Sequence, residues 1–365
     1  MTDDGLAREA ARIEEMFLTR DAACGAVPVA VRDPLLAGMH DAARAGGRDG
    51  FLLAAMRLFA AAGNGHSRVI PNPAIRVNPA RIVLRDDRFC MVQGGVAVPV
   101  QRIGGRAVEE LVPEWADLLA GSPMRRRMLS GIMMVWPAAL AVAGVTEADY
   151  ALVDGARVRF GAADLVPALP LYPVSDTGAA AAGKDPFPGP DAALVNGVWR
   201  VRLSDMKAIT RDRTGAVAEQ ISARPAPAIV DLRGNPGGDF TKALPLIDAL
   251  ARGPRCAVLV DAYTFSAAIV VAVLIAHRLG PRAALFGGDM GDDLRFWAEG
   301  DMETLPVTGA ALRYATAWHD WRDGQADATT PATIAQHLVA AGDVPVRQTP
   351  MAEIEAAALA FVHGW

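Results

Sequence analysis

Residues 228–240 read AIVDLRGNPGGDF, and residues 257–269 read AVLVDAYTFSAAI. Each stretch begins as a continuous apolar run, which is typical of a strand that a parallel sheet buries on both faces. A third such run covers residues 282–286, and the segments between the runs have helical patterns, at a spacing near the roughly 30 residues of a βαβ unit. The pattern therefore predicts an α/β core. In an open sheet of this kind, the loops after the strands gather at the carboxyl edge, where ligands bind.

The loop after the first strand, RGNPGGD, contains Gly234, Gly237 and Gly238. Glycine adopts positive φ at little cost, so consecutive N–H groups of this loop can point at one spot and hold negative charge there. Such a loop is either a phosphate cradle or an oxyanion hole. Its glycine spacing fits neither G-x-x-x-x-G-K-[ST] nor G-x-G-x-x-G, so nucleotide binding has weak support. A tight strand-to-helix turn without a ligand is the alternative.

Ser266 follows the second strand, at the point where the helical segment SAAIVVAVLIAH begins. A nucleophile elbow places its serine at this position, although the surrounding residues do not match G-x-S-x-G. The alternative is an ordinary N-cap serine, which helix N-termini prefer. The third loop, GGDMGDD, carries Asp289, Asp292 and Asp293. We expect these to be solvated acids rather than a hard-cation site, so the sequence predicts no metal.

Outside this core, the chain divides into a helical front part and a mixed middle part. Apolar residues at helical spacing run from Asp3 to about Ala62, and a Gly- and Asn-containing segment ending in His66 and Ser67 follows. Short alternating runs then predict strands, and a linker rich in Pro, Gly and Ala precedes the core. We therefore expect an N-terminal helical cap over 1–75, a small β-containing middle region over 76–190 and the α/β core over 191–365.

Composition argues against several classes of function. The 365 residues are 52% hydrophobic and 21% charged, with a net charge of −5, which gives no basic footprint for nucleic acid. The longest apolar run, residues 267–276, is about half of what a membrane-spanning helix needs. Three cysteines without C-x-x-C spacing are expected to be buried thiols. Because the start lacks the features of a signal peptide, a cytoplasmic chain is the default expectation, or a periplasmic one if a leader was removed.

Together, the motifs resemble a known peptidase family. AIVDLRGNPGGDF, followed some thirty positions later by AVLVDAYTFSAAI, is similar to the core of the C-terminal-processing (tail-specific) and tricorn-type serine peptidases, and NGHSRV at residues 64–69 is similar to their upstream D-G-H-[ST] segment. The resemblance implies a crotonase-like (ClpP/crotonase) peptidase core and a serine protease that acts on peptides or proteins through an acyl-enzyme, with no cofactor. It makes Ser266 the nucleophile and assigns the oxyanion hole to the backbone N–H groups of Gly238 and Ala267.

A serine nucleophile needs a base within hydrogen-bond reach of its hydroxyl. In this family, the processing proteases use a lysine downstream of the serine, whereas the tricorn branch uses the histidine of the upstream motif. No lysine follows Lys242 in this chain, so a downstream Ser-Lys dyad cannot form. His66 is therefore the expected base, on a glycine-flanked segment that we expect to be flexible. His319 is the rival.

The group that orients the imidazole is left open between Ser67 and a C-terminal acid, for which Asp320 and Asp323 are the candidates. Gly65 stands where the tricorn branch places a serine, and Ile269 stands where many members carry a glutamate. These departures motivate one alternative, a catalytically silent member that binds peptides. A crotonase-like acyl-thioester enzyme using the same glycine loop is the other alternative. Residues 96–111 look like the end of a PDZ-like module, which would help capture peptide ends.

Overall fold

The computed structural model describes residues 3–71, 75–168 and 191–364. The chain forms two compact units. The first lies within Met1–Leu171 and Phe296–Trp318, and the second lies within Tyr172–Arg295 and His319–Trp365. The second unit is thus continuous in space but interrupted in sequence.

The helices of the described residues are α1 (Asp3–Thr19), α2 (Val29–Arg44), α3 (Arg48–Ala60), α4 (Val108–Leu111), α5 (Pro123–Met133), α6 (Pro137–Val142), α7 (Arg211–Ala223), α8 (Leu244–Leu250), α9 (Ala267–Leu279), α10 (Ala332–Ala335) and α11 (Ile354–His363). The strands are β1 (Arg68–Ile70), β2 (Arg76–Val77), β3 (Ile82–Arg85), β4 (Arg88–Gln93), β5 (Val96–Ile103), β6 (Arg106–Ala107), β7 (Ala148–Leu152), β8 (Arg157–Phe160), β9 (Val166–Pro167), β10 (Asp191–Val195), β11 (Val198–Arg202), β12 (Ala228–Asp231), β13 (Cys256–Val260), β14 (Ala283–Gly287), β15 (Arg295–Ala298), β16 (Met302–Thr304), β17 (Ala311–Arg313), β18 (Ala317–Asp320) and β19 (Val346–Gln348).

The first unit opens with three helices, α1 to α3, that pack against one another. Ile13 and Phe17 of α1 are buried at helical spacing. The ring of Phe17 meets that of Phe59 in α3 edge to face, with ring centroids 5.4 Å apart. The helical front part predicted from the sequence is therefore confirmed.

The middle of the first unit is an antiparallel sheet with strand order β3-β4-β5-β7-β8. Asp86 and Asp87 join β3 to β4, and their φ angles of 47° and 56° suit the two-residue turns that match strand twist. A smaller sheet, β1-β17-β16, pairs the strand after His66 with the segment Phe296–Trp318. This pairing explains why a segment from late in the sequence belongs to the first unit.

The second unit is built on a six-stranded sheet, counted over the described residues, with strand order β10-β11-β12-β13-β14-β19. Strands β11, β12, β13, β14 and β19 run parallel, and β10 pairs antiparallel with β11 at one edge. On β13, Ala257 and Leu259 join an apolar cluster with Ile354 and Ala358 of α11, and Val258 between them is equally buried. The strand is therefore buried on both faces, as its apolar run predicts.

Helix α9 begins directly after Ser266 and packs against β13 and β14. Its apolar side chains are buried along nearly the whole helix, as expected for residues 267–276. None of the helices formed by the described residues combines the length and apolar character of a membrane span. Cys24, Cys90 and Cys256 are buried thiols, as predicted.

The predicted fold class, an α/β core with N-terminal helices and a β-containing middle region, is confirmed. The domain bounds 1–75, 76–190 and 191–365 stay a prediction. The sequence assigned Phe296–Trp318 to the core, and this segment lies in the first unit. Residues 174–190 of the predicted linker fall outside the described residues.

Truncating the core of the parallel sheet tests this packing. Leu259 is fully buried in the cluster under α11, so Leu259→Ala is expected to lower the free energy of unfolding by about 2–5 kcal/mol. Val195→Ala on the edge strand β10, where the side chain is 48% exposed, is the matched control and should change it by less than about 0.5 kcal/mol. Urea unfolding measures both. Equal losses for the two variants would contradict the described core.

Candidate functional site

Ser266 lies between the end of β13 and the start of α9, with φ 56° and ψ −125°. Residues other than glycine rarely adopt these backbone angles, which cost about 1–3 kcal/mol. Ser266 occupies the N-cap position, but its side chain makes no capping hydrogen bond. The alternative of an ordinary capping serine is therefore wrong. Ser266 thus lies on a sharp, strained strand-to-helix turn, and its role as a nucleophile stays a prediction.

The glycine loop lies directly against this turn. A Cβ on Gly237, which has φ 95°, would lie 2.7 Å from both the Phe265 carbonyl oxygen and the Ser266 Cβ. A Cβ on Gly238 would lie 2.5 Å from the backbone nitrogen of Lys207, on the other side of the loop. Only glycine fits at these two positions. The loop backbone thus runs beside the first N–H groups of α9, which a helix leaves without intrahelical acceptors.

Asn235 fixes the loop from within. Its side chain is fully buried, donates from Nδ2 to the Leu203 carbonyl oxygen at 2.8 Å and accepts from the Gly237 N–H at 2.9 Å. Its backbone oxygen accepts from the Phe265 N–H at 3.0 Å. The Gly237 amide is thereby occupied. The next residue, Gly238, forms an isolated parallel bridge with Met206, and its part in an oxyanion hole stays a prediction from the resemblance.

Asp261 joins the two loops. Its Oδ1 accepts from the backbone N–H groups of Gly234, Tyr263 and Thr264 at 3.0, 3.0 and 2.9 Å. The Thr264 hydroxyl donates to the Leu232 carbonyl oxygen at 3.0 Å, so both residues bind the end of β12 to the turn before Ser266. Burial raises the pKa of the Asp261 carboxyl, and the amide donors act in the opposite direction.

Sequence reasoning missed both Asn235 and Asp261. A usable signal was present for Asp261, because an Asp followed three residues later by Thr is typical of side chains that bond to nearby backbone amides. For Asn235, the glycines of the loop motif predict the conformation of its backbone, but not the hydrogen bonds of the Asn235 side chain. Both residues serve the site by holding backbone in place.

His66 belongs to the first unit and immediately precedes Ser67 and β1. Its side chain is fully buried, and its ring stacks on that of Phe296 with centroids 5.2 Å apart and an interplanar angle of 21°. The carbonyl oxygen of Gly65 accepts a hydrogen bond from the Arg68 guanidinium. The plane of the imidazole ring and the backbone on either side of His66 are therefore both held by defined contacts.

Ser67 is part of a buried polar cluster. Its hydroxyl accepts from Asn64 Nδ2 at 2.8 Å and donates to Asp21 Oδ1 at 3.0 Å. Burial raises the pKa of the Asp21 carboxyl, while its hydrogen bonds act in the opposite direction. The expectation of a flexible segment around His66 stays a prediction; in the structure, these side chains are buried and hydrogen-bonded.

The remaining candidates lie in the second unit. Asp320 is buried, and its Oδ1 accepts from the backbone N–H groups of Arg322 and Asp323 at 3.0 and 2.8 Å. Its Oδ2 lies 3.5 Å from Arg295 Nε. His319 is buried, with its ring centroid 6.2 Å from that of Trp321.

The structure brings Ser266 together with the glycine loop and Ala267, all in the second unit. His66 and Ser67 are in the first unit, and the pairing of His66 with Ser266 stays a prediction. In the third loop, Asp289 accepts from Gln348 Nε2 at 2.6 Å. Over the described ranges, no group of three or more His, Cys, Asp or Glu side chains is placed to hold a metal ion.

Comparison with known proteins identifies the fold. No family model matches the chain, and no curated protein is significantly similar to it in sequence. A solved structure of a serine-to-alanine mutant of CPAF has a TM-score of 0.56 at 10% identity, covering 98% of this chain and 95% of that chain. Mature CPAF has a TM-score of 0.50 at 10% identity, covering 87% and 91%. The photosystem II D1 C-terminal processing protease has a TM-score of 0.40 at 13% identity, covering 96% and 94%.

The two CPAF structures establish a shared fold over nearly the whole chain. The resemblance to the C-terminal-processing and tricorn-type peptidases, first drawn from three short motifs, is confirmed at this level. At 10% identity, the likeness defines architecture and leaves the chemistry to the residues of this chain.

Glycine at position 266 tests the strain. Ser266→Gly removes the Cβ that opposes φ 56°, so it is expected to be more stable than Ser266→Ala by about 1 kcal/mol. In the control pair, Ser222 lies within the helix α7, where Gly should be less stable than Ala by about 1 kcal/mol. Chemical denaturation of the four variants measures the two differences. The same sign at both positions would refute a strained turn at Ser266.

Replacing Asp261 tests the link between the two loops. Asp261→Ala leaves three amides without their acceptor and is expected to cost about 3–5 kcal/mol of unfolding free energy. Asp261→Asn keeps an acceptor oxygen for the same amides and should cost clearly less. Thermal unfolding with calorimetry measures both variants. Equal losses would show that the amides do not depend on this oxygen.

Proposed function

We propose that this chain is a serine peptidase in which Ser266 is the nucleophile. The observation that carries the proposal is the backbone of Ser266, held at φ 56° on a strand-to-helix turn with its hydroxyl not used as a cap. A structural serine at a helix start stabilises the fold by capping, whereas Ser266 makes no cap and its strained backbone lowers stability. Strain of this kind persists where a reactive group has to be presented.

The proposed chemistry is acyl transfer to the enzyme and then to water. The Ser266 oxygen attacks the peptide carbonyl carbon while its proton passes to His66, giving a tetrahedral oxyanion. The C–N bond then breaks, and His66 returns the proton to the leaving amine. Water, activated by the same imidazole, attacks the resulting ester and releases the second product and the free serine. The scheme uses only groups of this chain, so it requires no cofactor.

The oxyanion is assigned to the backbone N–H groups of Gly238 and Ala267. Ala267 begins α9, where the helix dipole favours negative charge, and Gly238 follows the amide that Asn235 already occupies. Preorganised donors of this kind typically contribute about 100- to 1000-fold each to turnover. The tight contact between the glycine loop and the Ser266 turn supports this assignment.

The base is assigned to His66 by the motif resemblance and by the absence of lysine after Lys242. Stacking on Phe296 supports it, because a base must present one ring nitrogen in a fixed direction. For the orienting acid, the resemblance offers Asp320 and Asp323, and the scheme uses Asp320. Ser67 does not donate to the imidazole in this scheme, since its proton is bonded to Asp21.

Labelling with a fluorophosphonate and mapping the adduct by mass spectrometry tests the nucleophile and the base together. Wild-type protein should carry the adduct on Ser266, and Ser266→Ala should carry none. His66→Ala should label about 100- to 10,000-fold more slowly, the usual range for loss of a general base. Ser222→Ala on α7 and His277→Ala on the last turn of α9 are matched controls and should label at the wild-type rate.

Other outcomes point to the alternatives. An adduct elsewhere, or no adduct, would contradict the nucleophile assignment. A labelled protein that cleaves no member of a diverse peptide library would overturn peptide hydrolysis and favour a peptide-binding role. Tight coenzyme A binding together with full activity in Ser266→Ala would favour acyl-thioester chemistry.

A further inference from the structure

Asp21 is a buried carboxylate that the proposed reaction does not use. It follows α1, is 4% exposed and accepts at Oδ1 from the Ala23 N–H at 2.9 Å, the Cys24 N–H at 3.2 Å and the Ser67 hydroxyl at 3.0 Å. Its Oδ2 accepts from the Ala315 N–H at 3.2 Å. Burying a carboxylate is costly, and these donors from three separate chain segments compensate for the lost water.

The three segments are the turn that follows α1, the His66 segment and the chain after β17. A second bond, from the Ala22 N–H to the Ala315 carbonyl oxygen at 2.8 Å, joins the first and third segments independently of the carboxylate. The His66 segment is joined to the third segment by the pairing of β1 with β17, and Ser67, just before β1, reaches Asp21 through its hydroxyl. The Ser67–Asp21 bond therefore adds a second link, on the side of Ser67 that carries His66, to a frame that the strand pairing already joins.

His66 is the residue next to Ser67, so this bond constrains its backbone from the side opposite the paired strand β1. Its ring is held from another side by Phe296, at a centroid distance of 5.2 Å. Phe296 begins the same late segment that contains Ala315. The backbone of His66 is thus linked through Ser67 and Asp21 to Ala315, and its ring contacts Phe296. Both Ala315 and Phe296 lie in the late segment of the first unit.

We propose that Asp21 is a positioning residue for the base, acting through the Ser67 hydroxyl to hold the backbone that carries the His66 imidazole. Asp21 touches neither substrate nor a reacting atom. The inference rests on the proposed function, since it gives Asp21 a part in catalysis only if His66 is the base. A misplacement of about 1 Å in a catalytic group can cost about 100-fold in rate, so a single hydrogen bond at this point has a measurable effect.

The test measures the rate constant of fluorophosphonate labelling at Ser266 and, separately, the fraction labelled at completion. Asp21→Ala and Ser67→Ala are each expected to lower the rate constant about 10- to 100-fold while leaving the final fraction unchanged. The double variant should be no slower than the slower single variant, because both changes break the same bond. Ser67→Thr keeps a hydroxyl and should label within about threefold of the wild-type rate. Denaturant curves first fix a temperature at which each variant is folded.

Glu9 supplies the matched control in the same unit. It is also a buried carboxylate, 2% exposed, and it accepts from the backbone N–H groups of Val307 and Thr308 in the same late segment. Glu9→Ala is expected to lower stability as Asp21→Ala does, but to leave the labelling rate constant unchanged. If Asp21→Ala does not fold, the Ser67→Ala and Ser67→Thr pair carries the comparison.

The outcomes separate this inference from the proposed function. If wild type labels at Ser266, His66→Ala is slow and the Asp21 or Ser67 variants label at the wild-type rate, the positioning role is overturned and the peptidase proposal stands. Multiplicative losses in the double variant would also overturn it, since Asp21 would then act by another route. If wild type fails to label, or His66→Ala labels normally, the proposed function fails and this inference falls with it.

Discussion

The second unit depends on one oxygen atom, Oδ1 of Asp261, which gathers backbone amides from two different loops. A parallel sheet brings the ends of its strands to one edge, but it does not fix how the loops there meet. Asp261 supplies that missing constraint by bonding Gly234 after β12 and Thr264 before Ser266. The strain at Ser266 is tolerable because the residues just before it, Thr264 and Phe265, are held by bonds that do not involve the serine.

Much of this architecture could be predicted from the sequence, because the information is local. Burial of β12, β13 and α9 could be predicted because each contains an uninterrupted run of apolar residues. The position of Ser266 follows from where one pattern ends and the next begins. The same local view suggested a capping serine as an alternative, and only the backbone angles, which no sequence pattern specifies, decide against it.

The features that could not be predicted are long-range. Ser67 and Asp21 are 46 positions apart and lie in segments with no shared period, so nothing in either segment announces their bond. Phe296 reaches His66 from 230 positions away in sequence, within a segment that pattern reading assigned to the core. Glycines near His66 suggested mobility, and no local pattern showed that its ring packs against so distant a partner. Burial of polar side chains is a property of the assembled unit.

The interruption of the second unit by Phe296–Trp318 has a consequence for synthesis on the ribosome. The chain emerges from its N-terminus, so the helices α1 to α3 and His66 are exposed to solvent long before their late partners exist. The hydrogen bond from Ala315 to Asp21 and the stacking of Phe296 on His66 can form only after Ser266 has been synthesised. During synthesis, the packing around His66 therefore cannot form before Ser266 has been made. A chain truncated before Phe296 lacks part of the first unit.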